Sequence, residues 1–272
     1  MALVIEGQVT TRLPIGGEEL SVTALAGLSA SEISRKKIWY GRNRVEVGQL
    51  FRVTGALSED QTIVWEGSLT AVHGIGAGME AGWVRIETAA GRHVGARMRG
   101  GNLVAASDVS DFAGAEMVGG LIRIQGNAGD GLGGVYSGTK IGGNRGVILV
   151  QGNAGRGLGR CLRRGLIAVA GNVGPLCGWG MRAGTILVGG QCERECGSGM
   201  IRGTIVLANQ QNYEFLPSFR PGSIYSDYLI RLLAGQLKRL EVDWDERLLG
   251  QRFHMHHGDG LSGGRGEVFG RC

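Results

Sequence analysis

The sequence has little proline, few aromatic residues and no long apolar run, and each shortage excludes a class of protein. Only 4 of the 272 residues are proline and 6% are aromatic. Glycine and proline together stay below the share typical of disordered chains, and the lack of a Gly-X-Y period excludes collagen. No apolar run approaches the ~18 residues that cross a membrane. No signal peptide is visible at the start, so we expect a globular protein of the cytoplasm.

Charge and cysteine content narrow the range of partners. The formal net charge is +5 and the pI is about 9.1, an excess too small to indicate nucleic-acid binding. This mild excess favours acidic ligands or partners instead. Only four of the 29 basic residues are lysine, and the rest are arginine. The five cysteines, an odd number, predict free thiols rather than a disulfide framework.

Glycine is abundant, and its spacing carries the main information in the sequence. Of the 52 glycines, 36 lie between Gly67 and Gly203. They recur every 19 residues, with one step of 26 that contains a seven-residue insertion. Such self-similarity indicates a repeat architecture. The two main columns are Gly82, Gly101, Gly120, Gly146, Gly165, Gly184 and Gly203, and then Gly95, Gly114, Gly133, Gly159, Gly178 and Gly197.

Each repeat opens with a short apolar run, such as WVRIE from Trp83 and VILVQ from Val147. The alternation and the β-branched residues predict a strand with one buried face. A repeat of 19 residues is too short for a βαβ unit, which needs ~30. Each strand therefore pairs in parallel with its equivalent in the next repeat. These features predict an all-β solenoid, a single-stranded right-handed parallel β-helix with 19-residue rungs.

The repeat divides the chain into three predicted parts. Residues 1–60 form an N-terminal α/β cap with a short helix around Ser31–Lys37. Residues 61–209 form about seven rungs. Residues 210–272 form a C-terminal helical cap and tail, with a helix near 226–240 that carries a stripe of leucines. Caps are expected because the end rungs of a solenoid expose unpaired edges.

The spacing of two cysteines resembles part of a metal site, but the sequence does not complete the ligand set. Cys192 and Cys196 are four residues apart, and Cys177 and Cys196 share an inward-facing column of the repeat. We expect these thiols to pack as small hydrophobic groups. No further cysteine pair or nearby histidine completes a tetrahedral set in the sequence. We therefore predict that the chain has no metal ligands.

The histidines give a similar result. His254, His256 and His257 form a cluster with Asp259, whereas the remaining histidines are isolated in the sequence. Neighbouring side chains on an extended chain point to opposite sides. We interpret the cluster as a surface turn and assign it no role. No local signature of a nucleophile with its base occurs, so we predict no catalytic residue in this chain.

Two glycine-rich segments and an asparagine series have structural interpretations. Gly129–Gly133 and Gly155–Gly159 look like nucleotide-binding loops, but an apolar strand rather than a helix follows each one. We interpret them as corners of the repeat. Asn127, Asn153 and Asn172 recur at the turn after each strand and are expected to hydrogen bond to one another.

Arginine is the polar residue with a pattern. Arg163, Arg164, Arg182 and Arg202 lie near one predicted corner of the repeat. The favoured interpretation is that these arginines form a solvent-exposed face and keep this corner of the repeat soluble. The alternative is a stripe that contacts a polyanion or an acidic partner subunit.

The repeat pattern G-N-A-G-x-x-x-G and several flanking segments carry a family resemblance. Together they resemble the GXGXG β-helix family, which occurs at the C-terminus of glutamate synthase and as the C component of formylmethanofuran dehydrogenase. The flanking segments favour the second. The segments are Gly126–Gly133, Gly152–Gly159, Ile38–Asn43, Val47–Phe51, Leu216–Phe219 and Gly258–Glu267.

The resemblance implies a structural subunit without its own active site. The bacterial branch of the family is a formyltransferase/hydrolase complex with four components, which are A (amidohydrolase-like), B, C and D (formyltransferase). It moves a formyl group from tetrahydromethanopterin to a methanofuran-type coenzyme and releases formate. The resemblance implies that this chain itself binds no cofactor. The four arginines above would be the residues to contact the glutamyl tail of the coenzyme.

Other functions stay open at this point. The archaeal branch is a molybdenum or tungsten formylmethanofuran dehydrogenase, and the arginine-rich, lysine-poor composition favours the bacterial one. A free-standing β-helix enzyme acting on an acidic polymer would need a carboxylate cluster or a catalytic arginine in a groove. A left-handed β-helix acyltransferase has 18 residues per turn, against 19 here. The glutamate synthase domain is the last alternative.

Overall fold

The computed structural model describes residues 2–57, 59–211, 213–226, 228–240 and 250–272. In this part of the chain the apolar run of each repeat forms a strand, because its second and fourth side chains are buried. The strands are β1 (Leu3–Gly7), β2 (Ile15–Gly16), β3 (Lys37–Tyr40), β4 (Asn43–Glu46), β5 (Phe51–Thr54), β6 (Thr62–Gly67), β7 (Val72–His73), β8 (Trp83–Ile86), β9 (Asn102–Ala105), β10 (Leu121–Ile124), β11 (Asn144–Val150), β12 (Arg164–Val169), β13 (Thr185–Val188), β14 (Arg202–Gln211), β15 (Arg220–Tyr225), β16 (Phe253–His257) and β17 (Arg265–Arg271).

The strands form two sheets. The large sheet has 13 strands in the order β15-β16-β17-β14-β13-β12-β11-β10-β9-β8-β6-β1-β5, and the small sheet has the order β4-β3-β2-β7. From β1 through β6 and β8 to β14, and on to β17, all neighbours in the large sheet are parallel. Equivalent residues of successive repeats are paired, as in Ile122 with Ile148. The repeat therefore sets the register directly.

The predicted all-β solenoid, a right-handed parallel β-helix, is wrong. The structure is a mixed sheet of 13 strands with a second sheet of four strands. Strand β5 is antiparallel to β1, and β16 is antiparallel to both of its neighbours, β17 and β15. The glycine columns specify parallel pairing inside the repeats only. Outside them, the short connection between β16 and β17 brings the chain back antiparallel.

Helices are short and lie outside the repeats. They are α1 (Val22–Leu25), α2 (Ala30–Arg35) and α3 (Tyr228–Arg239). Helix α2 begins at a capping box, in which Ser29 and Glu32 each accept from the other's backbone N–H. The predicted helices around Ser31–Lys37 and near 226–240 are thus present. The boundaries at residues 60 and 209 stay predictions.

Two apolar clusters lie on the two faces of the large sheet. The larger cluster contains the second and fourth residues of the four-residue apolar run in each repeat, together with a methionine column such as Met98 and Met181. The smaller cluster joins the third residues of these runs in β11 to β14 to Leu233 and Leu237 of α3 and to side chains of β16 and β17. Glycines of the first column lie immediately before the apolar run of each repeat. At Gly165, φ is +109° and a Cβ atom would lie 2.7 Å from the Gly146 carbonyl oxygen.

Candidate functional site: a cleft beside the small sheet

A cleft lies between the small sheet and the first repeats. Its volume is about 700 Å³, within the range of small-molecule sites. Strands β2, β3 and β7 form one wall, and the corners before β9 and β11 form the other. The residues that line it are Pro14, Ile15, Gly16, Glu18, Trp39, Gly41, His73, Gly74, Ala77, Gly78, His93, Ala96, Arg97 and Tyr136.

Trp39 forms an aromatic wall of the cleft, and charged groups beside it hold its ring in place. The Trp39 side chain is 44% exposed, which is unusual for so large an apolar residue. The Arg44 guanidinium lies 5.1 Å from the centre of its ring. Arg44 also donates two hydrogen bonds to the Glu19 carboxylate, at 2.6 and 2.8 Å. The indole is therefore held in place while one face stays open to the cleft.

Two imidazoles meet in the cleft. The rings of His73 and His93 are 6.3 Å apart and nearly perpendicular. The Nδ1 atom of His73 accepts a hydrogen bond from the Arg92 backbone N–H at 2.9 Å. A neutral His73 therefore carries its proton on Nε2, where it acts as a donor. The two histidines are isolated in the sequence, but they lie 20 positions apart, close to the 19-residue period, and the repeat therefore brings them side by side.

Tyr136 completes this group of polar side chains. Its hydroxyl oxygen lies 3.0 Å from His93 Nδ1, and its ring packs 5.4 Å from the rings of His93 and Phe112. The Arg97 guanidinium lies 5.4 Å from the Tyr136 ring centre. Arg97, which lines the cleft, is ion-paired with Glu116 at 2.9 Å.

Burial tunes the protonation of these groups. Burial, helped by the Arg92 guanidinium, lowers the pKa of His73 and of His93. Burial also raises the pKa of the Tyr136 phenol. All three side chains are therefore uncharged at neutral pH. The cleft can hold a planar polar ligand by hydrogen bonds from imidazole and phenol, and the His93–Tyr136 pair can pass a proton along its hydrogen bond.

One departure from the repeat pattern in the sequence, at Tyr136, indicates this cleft. Counted from Gly133, Tyr136 falls in the methionine column, where a core side chain is expected. In the structure its ring instead packs on His93 and Phe112. The seven-residue insertion follows directly, so it shifts the chain at this corner. An insertion in a regular repeat marks a place where the surface departs from the pattern.

A second cluster consists of three thiols. The Sγ atoms of Cys177, Cys192 and Cys196 all lie within 4.8 Å of one another, and all three residues are buried. Hydrogen bonds from Cys177 and Cys196 lower the pKa of Cys192. The hydrogen bond to Cys192 raises the pKa of Cys177, and bonds to both neighbours raise that of Cys196. Among the residues described, no other group of three or more histidine, cysteine or acidic side chains has metal-site geometry.

The histidine cluster near the C-terminus lies on a strand. The interpretation as a surface turn is wrong, because residues 253–257 form β16. His254 and His256 lie on the same side, with ring centres 4.4 Å apart, and His256 stacks on Phe215 at 4.0 Å. His257 is exposed. Asp259 does not join them, since its carboxylate accepts the backbone N–H groups of Gly199 and Leu261.

The asparagine series forms the predicted ladder. Asn153 donates its amide to Asn127 Oδ1 at 3.1 Å, and Asn127 donates to Asp108 at 3.0 Å. Each side-chain oxygen also accepts the backbone N–H of the next repeat, up to Asn172 and Gln191. The glycine-rich segments Gly129–Gly133 and Gly155–Gly159 form turns that lead into strands β11 and β12 rather than into helices. These polar groups are therefore structural.

The predicted polyanion contacts lie at or just before the first residues of β12, β13 and β14. Arg163, Arg164, Arg182 and Arg202 are all exposed, and Arg164 and Arg202 are the first residues of β12 and β14. Arg202 is paired in register with Arg265 of β17. The ion pairs formed by residues of the described ranges do not include these arginines. They are thus available to an acidic group.

Over its whole length the chain is similar to a chain of a multi-subunit enzyme complex that handles formyl groups. That complex is the formyltransferase/hydrolase complex of Methylorubrum extorquens, whose X-ray structure was determined with methylofuran. The TM-score is 0.87, the sequence identity is 29%, and the match covers 98% of each chain. No family model and no curated protein matches the chain, so the GXGXG β-helix resemblance gains no support there.

Within the part of the chain that the structure describes, no helix is both long and apolar enough to cross a membrane.

Proposed function

We propose that this chain is a structural subunit of a bacterial formyltransferase/hydrolase complex. Such a complex moves a formyl group from tetrahydromethanopterin to a methanofuran-type coenzyme and releases formate. The observation that carries the proposal is the similarity to a chain of the Methylorubrum extorquens complex, with 98% of both chains matched. A match of this extent leaves no large domain of either chain unaccounted for, which is expected of proteins with the same place in an assembly.

The particular component proposed is C. The segments Ile38–Asn43 and Gly258–Glu267 resemble those of that component. The partners would be the amidohydrolase-like component A, component B, and the formyltransferase component D. The coenzyme would act at these partners, because the resemblance assigns component C a structural role. The location proposed is the cytoplasm.

Purification of the tagged chain from its native cells tests this proposal. We expect components A, B and D to co-purify with it in fixed ratio, and the purified complex to release formate from formyl-tetrahydromethanopterin. The chain expressed alone should show no such activity. Co-purification of a molybdenum or tungsten protein would instead identify the archaeal type of complex. Activity of the chain alone on an acidic polymer would overturn both.

We propose further that the exposed arginines contact an acidic group, either the glutamyl tail of the coenzyme or an acidic surface of a partner. Arg163, Arg164, Arg182 and Arg202 have no acidic partner among the ion pairs of the described residues, whereas Arg85 on another strand is paired with Glu87. An arginine guanidinium binds a carboxylate in bidentate fashion. A row of arginines therefore suits a ligand or a surface that carries several carboxylates.

A double substitution tests the arginine proposal. Arg163→Ala with Arg164→Ala should weaken coenzyme binding by the complex or its assembly by about tenfold or more, since two charge-assisted hydrogen bonds are lost. Arg85→Ala is the matched control, because it removes an exposed arginine elsewhere on the sheet. Unchanged coenzyme affinity and unchanged stoichiometry of the complex in the double variant would exclude a role for these two residues.

A further inference from the structure

The three buried thiols lie where the repeat otherwise carries aliphatic side chains. Cys192 follows Val109, Ala128, Ala154 and Val173 in a column of parallel bridges. Cys177 and Cys196 follow Leu132 and Leu158 in the column before the second glycine. Aliphatic residues fill both positions in the earlier repeats. The repeat with Val173 carries cysteine in one column, at Cys177, and the next repeat carries it in both, at Cys192 and Cys196, so that three thiols meet at one point.

Their separation suits a single bound ion. The three Sγ atoms lie within 4.8 Å of one another. A metal–sulfur bond of about 2.3 Å places three ligand atoms about 3.8–4.0 Å apart around one ion. Closing the difference takes a movement of less than about 1 Å, which rotation about the Cα–Cβ bonds supplies. The thiols therefore need no rearrangement of the backbone to share an ion.

The backbone that carries the thiols is anchored by Gln210 at the end of β14 and by Tyr213 just after that strand. Gln210 accepts the Cys192 backbone N–H at 2.8 Å and donates back to the Cys192 carbonyl at 3.1 Å. The Tyr213 hydroxyl accepts the Cys196 N–H at 2.9 Å and donates to the Glu193 carbonyl at 2.8 Å. Fixed backbone on both sides of a ligand set holds its geometry before the ion arrives.

We propose that Cys177, Cys192 and Cys196 form a three-thiolate site for a thiophilic metal ion, Cu(I) or Zn(II). An all-sulfur set selects soft ions and disfavours Mg²⁺, Ca²⁺ and Mn²⁺, which prefer oxygen ligands. Binding releases the three thiol protons to solvent, and the positive charge of the ion offsets part of the charge of the three thiolates, more with Zn(II) than with Cu(I). The site is independent of the proposed place of the chain in a formyl-transfer complex.

The repeat itself supplies substitutions that keep the fold. Cys192→Val puts the side chain of Val173 at the equivalent position of the next repeat, and Cys177→Leu does the same with Leu158. Both should fold, because neighbouring repeats already pack these residues. Cys161→Ala is the matched control, since Cys161 lies outside the cluster.

The full chain is expressed in medium supplemented with copper or with zinc, so that the ion enters during folding, and is purified under reducing, anaerobic conditions. Elemental analysis then gives the metal per chain, and the ultraviolet thiolate-to-metal absorption reports the ligands. We expect wild type and Cys161→Ala to retain one ion per chain, and Cys192→Val and Cys177→Leu to lose it. The two media distinguish Cu(I) from Zn(II). Wild type without bound metal from either medium, or equal metal in wild type and Cys192→Val, would overturn the proposal.

Discussion

The two halves of the repeat region share one backbone pattern and differ on one face. In strands β8, β9 and β10, which we name the bare half, the third residues are Arg85, Val104 and Arg123. In β11 to β14, the covered half, the residues in the same register are all apolar and buried. They are Leu149, Ala168, Leu187 and Val206.

The difference shows that each repeat specifies two things. One is the buried face that all its strands share, and the other is the packing on the opposite face, which differs between the halves. The second and fourth strand residues are apolar in both halves, because they face the larger cluster everywhere. The character of the third residue depends on whether another element packs against that face of the sheet. Helix α3 packs on the covered half, and β17 and β16, the next strands of the same sheet, extend its apolar face, so that together they form the smaller apolar cluster. Four predictions test this comparison.

The largest effect is expected from a charge placed at the third strand position. Val206→Asp buries a carboxylate without a partner, since Val206 is fully buried. We expect a loss of about 4 kcal/mol or more of unfolding free energy. Val104→Asp changes the same residue at the equivalent, only partly buried position and should cost less than about 1 kcal/mol. Urea unfolding measures both, and equal losses would mean that the two faces do not differ.

The glycine corners should behave alike in the two halves. Gly120 and Gly165 have φ of +86° and +109°, and a Cβ at either meets a carbonyl oxygen at 2.8 or 2.7 Å. Gly120→Val and Gly165→Val should each destabilise by about 2–3 kcal/mol, from backbone strain and the steric clash together. Gly157→Val is the control, because φ is also positive there but nothing lies within 4 Å. A loss at Gly165 no larger than at Gly157 would contradict the proposed close contact in the corner.

The amide ladder should weaken more at its bare end. Asn127 makes hydrogen bonds to Asp108 and, through its oxygen, to the backbone and amide of Asn153. Asn172 has one such bond, from the Gln191 backbone N–H. Asn127→Ala should cost about 1–2 kcal/mol and Asn172→Ala about 0.5–1 kcal/mol. Thermal unfolding of the two variants ranks them, and the reverse order would argue that the covered half depends more on the ladder.

The smallest effect concerns pH at the cleft beside the bare half. The folded protein lowers the pKa of His73 and His93, so the unfolded chain takes up protons more readily. Stability is therefore complete above about pH 6.5 and falls as the pH drops below it. His73→Gln with His93→Gln should show a shallower loss between about pH 7.5 and about pH 5.5 than wild type. Exposed His257→Gln should follow wild type, and identical slopes for all three would refute the effect.

Local pattern predicted much of this molecule. The strands of the repeats, the helices near residues 31–37 and 226–240, and the asparagine ladder follow from side chains that act on their own neighbours in sequence or in the next repeat. The two-sheet arrangement did not follow, because strands such as β2 and β7 have two residues each and carry no periodic signal. The cleft did not follow either, since His73, Tyr136 and Trp39 come from three distant segments. The apolar third residues of the covered half do indicate, from the sequence, that another element packs against that face of the sheet.

The ends of the large sheet have a consequence for solubility. A row of in-register parallel strands is a template onto which the same row of another copy could add, as in a growing fibre. The sheet ends instead in two strands that are antiparallel to their neighbours, β5 and β15. Pro221 in β15 has no N–H to offer, and Arg220 beside it is exposed. The β15 edge therefore hinders the addition of a further strand.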